Sequence, residues 1–127
     1  MKLRPWKTRM RPMRDPLALL GMARRAGALA YGTGSTRRAL KEGRARLILF
    51  AQDASDGQRG KVMNLLRHGT TPHATFGTRQ ALGLAVGSAP VSAVAVTDNE
   101  FAKELMARLA SVPEVRIENE VEQAHAG

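Results

Sequence analysis

The chain has 127 residues, 43% of them apolar and 24% charged, values that suit one globular domain and argue against both a disordered chain and a large enzyme architecture. Twenty Lys and Arg against 11 Asp and Glu give a net charge of +9, an excess that draws a protein toward nucleic acid or an anionic membrane. Without cysteine there is no disulfide, no thiolate nucleophile and no Cys-based zinc site, and His68, His73 and His125 are too scattered to suggest a metal centre; a soluble, reducing, cytoplasmic setting with no cofactor is expected.

Residues 1–14 carry Lys2, Arg4, Lys7, Arg9, Arg11 and Arg14 with no acidic residue, and Pro5 and Pro12 oppose regular structure. This segment reads as a basic arm, in which Trp6 is expected to be a residue of a poorly ordered terminus rather than a platform for stacking on a base. The apolar run Leu17–Ala23 is only seven residues long, is entered through Asp15-Pro16 and ends at Arg24-Arg25 without a small-residue cleavage site, so it is not read as a secretory signal. No stretch approaches the length of a membrane span. Asp15 and Pro16 instead predict a helix start, with the helix running over 16–26 and stopped by Gly27.

A short apolar run over 28–31 is broken by Gly32-Thr33-Gly34, after which 35–42 reads as a second helix closed by Gly43. The continuous apolar run over 46–51 predicts a strand covered on both faces. Ser55 and Gln58 have capping-box spacing and open a third helix whose Val62, Leu65 and Leu66 are expected to face the core, ending near His68-Gly69. Residues 72–76 form a short strand in this reading, and Gly77-Thr78 starts a helix with Ala81, Leu82 and Ala85 that stops at Gly87. Val91–Val96 is again strand-like, and Thr97 with Glu100 makes a second capping box before Phe101, Leu105 and Leu109. Beyond Ser111 a Glu-rich stretch adds at most a short strand over 115–117. Helices alternate with strands through short connections, which predicts an α/β fold in three layers over residues 15–110, followed by an acidic tail over 111–127.

Seven basic residues crowd into 24–46 (Arg24, Arg25, Arg37, Arg38, Lys41, Arg44, Arg46), opposed only by Glu42. Arg37, Arg38, Lys41 and Arg44 recur at intervals of three and four, so several are expected on one side of a helix, where phosphates could meet them together. Gly27 and Gly32-Thr33 have the spacing of a phosphate loop, but Thr33 stands where the lysine belongs. Gly32, Gly34 and Arg37 likewise fall short of a dinucleotide fingerprint, because Arg37 occupies the third glycine position. What remains is a glycine-rich turn that feeds a helix start, offering free backbone amides to an anion beside cationic side chains. Asp53 and Asp56 read as helix-capping residues after a strand rather than as a metal or acid–base pair, and Ser35 and Ser55 lack a His and carboxylate in triad order. Structural or solvent roles are expected for His68 and His73.

The segments Leu19–Gly27, Gly32–Leu40, Leu49–Ser55, Leu82–Gly87 and Val94–Asp98 together resemble the L-seven-Ae/L-thirty-e family of ribosomal proteins over roughly 16–109, nearest to its small bacterial YlxQ-like members, some of which are fused to a YlxR-like domain. The resemblance implies a three-layer α-β-α sandwich around a mixed sheet of about four strands. It also implies a non-enzymatic protein that binds structured RNA, typically a kink-turn or ribosomal RNA, with a link to the ribosome or translation and no small-molecule substrate or membrane partner. By the same resemblance the RNA contacts fall on Gly32, Thr33, Gly34, Ser35, Thr36, Arg37, Arg38 and Lys41, with Arg38 as the basic contact residue and Gly32, Thr33 and Thr36 as its frame. A second contact falls on Phe76, Gly77, Thr78 and Arg79. The chain departs from the family pattern at Gly34-Ser35, where Asn or Lys followed by Glu or Gln is usual. The short replacements lack the reach to read guanine edges, so phosphate binding is expected to persist while kink-turn selectivity falls. Two other readings stay open from sequence: the recognition module of an RNA-modifying enzyme complex, and a protein-interaction module that has lost RNA.

Overall fold

A computed structural model describes residues 15–119; the basic arm with Trp6 and the last acidic residues of the tail lie outside the described residues. Nine elements follow one another: α1 (Pro16–Arg25), β1 (Leu29–Tyr31), α2 (Thr33–Lys41), β2 (Leu47–Phe50), α3 (Asp56–Leu66), β3 (His73–Thr75), α4 (Arg79–Val86), β4 (Ala93–Val96) and α5 (Asn99–Ala110). The strands form one mixed sheet in the order β1-β4-β2-β3, with β2 and β3 parallel and β4 antiparallel to both β1 and β2.

Alternation along the strands splits the core into two layers. Leu47, Leu49, Val94 and Val96 pack with Leu20, Leu82, Leu105 and Leu109 beneath α1, α4 and α5. Ile48, Phe50, Ala93 and Ala95 point the other way, into a thinner cluster with Ala39, Val62 and Leu66 beneath α2 and α3. All four residues of β2 and all four of β4 are buried, as expected for strands covered on both faces.

Local chemistry fixes most element ends. The Asp15 carboxylate accepts the Leu17 N–H ahead of Pro16, and Ser55 and Thr78 cap α3 and α4 through the N–H groups of Gln58 and Ala81. Gly87 stops α4 at a φ of 75°, where an L side chain would be strained.

Four features differ from the sequence reading. α2 begins at Thr33 rather than Ser35, so the Gly-rich segment is its first turn. The cap of α5 is Asp98, which accepts the Phe101 N–H, rather than Thr97; the aspartate stands one residue nearer the first free amides. Leu65 is only half-buried, and Met63 packs against the thin layer instead. The strand expected over 115–117 is a single antiparallel bridge one residue further on, between Glu118 and His73, with Val115 and Ile117 packed on the large layer.

Candidate nucleic-acid interface

The C-terminal ends of β1, β2 and β3 and the N-terminal end of β4 lie along one edge of the sheet. The registers that set this are Tyr31 opposite Val94, and Phe50 opposite both Ala93 and Thr75. Backbone hydrogen bonds continue past the strands and tie the loops there: Gly32 N–H to Ala93 O (2.8 Å), Ala51 N–H to Ser92 O (2.9 Å), Phe76 N–H to Phe50 O (2.9 Å) and Gln52 N–H to Gly77 O (2.7 Å). The two loops nominated from sequence, at 32–34 and 76–79, therefore share this edge, three strand spacings or about 14 Å apart.

At one end of the edge, Gly32 adopts a φ of 95° and a ψ of 155° as the N-cap of α2 and supplies no side-chain cap. Its own N–H is spent on Ala93, and Thr36 N–H returns to Gly32 O, so the N–H groups of Thr33, Gly34 and Ser35 have no acceptor within the helix. Three free amides at a helix start attract an anion through both their hydrogens and the helix dipole. Gly34, Arg38 and Lys41 follow at i, i+4 and i+7 on one exposed face, so two cations extend the positive surface of the helix start along the helix. Thr36 is fully buried with its hydroxyl unpartnered, and it serves the packing of the turn rather than its surface.

Of the four basic residues of this run, several of them expected on one side of the helix, two are elsewhere. Arg37 is half-buried, and its guanidinium donates to Lys61 O at 2.5 Å, tying α2 to α3. Arg44 lies beyond the end of α2 and pairs with Glu42 at 2.8 Å.

The second loop is built differently. Gly77 has a φ of 76°, Phe76 leans on the large core layer, and Thr78 caps α4. Asp53 does not cap the helix that follows it. Its carboxylate accepts the Arg79 N–H at 2.7 Å and faces the Arg79 guanidinium at 3.8 Å, which ties the loop after β2 to the start of α4. With both side chains about half exposed, that ion pair is worth little and positions the loop rather than stabilising the fold.

The sequence reading missed two contributors. The loop over 88–92 belongs to the same edge, because β4 runs antiparallel to its neighbours and brings its start there; a Cβ on Gly83 would stand 2.4 Å from Ala89 O, so only glycine lets this loop lie over α4. Arg59 places its guanidinium 4.4 Å from the Phe50 ring centroid and donates to Thr75 Oγ1 at 3.2 Å, holding α3 against the ends of β2 and β3. An isolated arginine in an amphipathic helix gives no sequence signal of either role.

Residues 17–106 match the profile of the Ribosomal protein L7Ae/L30e/S12e/Gadd45 family. The chain belongs to that family. It is 33% identical over 91 residues to the RNA-binding protein YlxQ of Bacillus subtilis (strain 168), a match that spans 72% of this chain and 91% of the relative and places it in the YlxQ-like branch. Among solved structures it is similar to a protein with unknown function from Bacillus halodurans C, with a TM-score of 0.69 and 30% identity over 74% of this chain and 95% of that one. The Giardia lamblia 15.5kD RNA binding protein shares the fold, with a TM-score of 0.62 and 18% identity over 77% of this chain and 84% of the other.

Proposed function

We propose that the chain is a non-enzymatic protein that binds structured RNA through this sheet edge, with the N-terminus of α2 as the main contact. The observation that carries the reading is the uncapped helix start whose three free amides adjoin Arg38 and Lys41 on one exposed face. Membership of a family whose YlxQ member is an RNA-binding protein supports the same partner.

Amides and arginines recognise phosphates of any sequence, so affinity falls steeply with salt. Selectivity for a kink-turn requires groups that reach base edges, and Gly34 and Ser35 supply none. Both positions are exposed, and a Cβ on Gly34 would meet nothing within 4 Å, so the surface has room for the longer residues usual in the family. The protein therefore acts as a general binder of folded RNA, ribosomal RNA among its candidate partners, with weak kink-turn preference.

The test titrates a kink-turn RNA and a matched duplex lacking its G·A pairs at two salt concentrations. Wild type is expected to bind both with similar, salt-sensitive affinity, and Arg38→Glu to weaken both by at least about tenfold. The double variant Gly34→Asn/Ser35→Glu is expected to gain preference for the kink-turn. No binding to either RNA, or an Arg38→Glu effect no larger than that of Arg116→Glu, overturns the assignment.

A further inference from the structure

On the side of the molecule formed by α1, α4 and α5, a shallow groove runs between α1 and α4. Its floor is set by the close approach of the helices at Gly21, where a Cβ would stand 2.9 Å from Ala85 O. Leu17, Ala18, Met22, Ala81, Leu84 and Ala85 line it, and its charged side chains are Asp15 and Arg25. Leu84 is 72% exposed, the one large apolar side chain so exposed among the described residues. Neither the core nor the proposed RNA edge accounts for it, since it projects away from the sheet on α4.

The charge arrangement points to an occupant. Asp15, Ala18, Met22 and Arg25 fall at i, i+3, i+7 and i+10, so an acidic and a basic residue terminate one apolar stripe of α1, about 15 Å apart along the helix. A surface with opposite charges at its two ends and an apolar centre is complementary to itself under a two-fold rotation. Antiparallel pairing of α1 with its counterpart sets Asp15 of each copy against Arg25 of the other, opposes the two helix dipoles, and seats each Leu84 in the facing groove. We infer that this groove is the interface of a symmetric homodimer, formed by α1 and α4 of two copies of the chain.

The stripe is short, so the dimer is expected to be weak and concentration-dependent rather than obligate. The inference stands independently of the RNA reading, because the paired surface leaves the N-terminus of α2 free on each copy.

Sedimentation equilibrium of the full chain, RNA-free and over a wide concentration range, tests it. Wild type is expected to show a monomer–dimer equilibrium. Leu84→Glu removes the knob and buries two charges, and is expected to raise the dissociation constant by at least about 100-fold. Arg25→Glu sets Glu against Asp15 twice and is expected to weaken the dimer as well. Adding Asp15→Asn, which preserves the helix cap, is expected to recover part of that loss. Circular dichroism of each variant checks that the monomer stays folded. A wild-type chain that is monomeric at the highest concentration overturns the inference. A dimer indifferent to Leu84→Glu and Arg25→Glu overturns it equally.

Discussion

The two sides of the sheet are made from the same strands but by different means. Toward α1, α4 and α5 the strands present Leu47, Leu49, Val94 and Val96, and the helices answer with large leucines. Toward α2 and α3 they present Ala93 and Ala95 beside Ile48 and Phe50, and the small residues let the helices lie close. That thinner layer is supplemented by arginines: Arg37 bonds Lys61 O, and Arg59 covers Phe50. The large apolar side chains are thus concentrated in one layer, and the main candidate contact, at the start of α2, lies on the other. The cationic side chains of the second layer divide into those that hold helices together and those left for a ligand.

The largest expected effect tests the asymmetry of the layers. Leu20→Ala, in the thick layer, is expected to cost about 2–5 kcal/mol, and Leu66→Ala, near the rim of the thin one, the lower end of that range, because its site collapses more easily. Denaturant titration of both variants measures this, and a larger loss at Leu66 breaks the comparison.

Next in size is the division of labour between neighbouring arginines. Arg37→Ala is expected to lower stability by on the order of 1 kcal/mol through loss of the bond to Lys61 O. Arg38→Ala is expected to leave the melting temperature unchanged and to reduce the slope of log affinity against log salt by about one. Equal behaviour of the two in melting and in salt titration would erase the distinction between tie and contact.

The smallest effects sharpen the picture at single groups. Burial lowers the His73 pKa below its ordinary 6.5, partly countered by Glu118 and reinforced by Arg59. The unfolded chain therefore takes up the proton first, and stability is lost as the pH falls from 6.5 toward the depressed folded value. His73→Gln is expected to flatten the decline of melting temperature between about pH 7 and 5. At Thr36, the buried hydroxyl has no partner, so Thr36→Val is expected to leave stability unchanged or raise it by a few tenths of a kcal/mol. A clear loss would mean that the hydroxyl is hydrogen-bonded in solution.

Much of the fold was legible because its signals are local. Asp15-Pro16, Ser55 with Gln58, Thr78 and Gly87 act within one helical turn, and β2 and β4 announce their burial as unbroken apolar runs. At the start of α5 the capping-box spacing pointed to Thr97, whereas the structure uses Asp98, one residue nearer the first free amides. The candidate site was legible as a glycine-rich helix start beside basic residues. Which arginines face outward was not, since Arg37 is captured by a carbonyl 24 residues away.

The sequence by itself determined most of the elements, their alternation and a glycine-rich helix start, because helix caps, glycine dihedrals and strand periodicity depend on neighbours along the chain. Tertiary structure alone decided the order β1-β4-β2-β3 and the gathering of the loops at 32–34, 51–55, 76–79 and 88–92 at one edge. It also withdrew Arg37 and Arg59 into the α2–α3 layer and left Leu84 uncovered on the opposite side. These outcomes depend on which strands pair and on how closely helices approach, and both are set by contacts between residues distant in sequence.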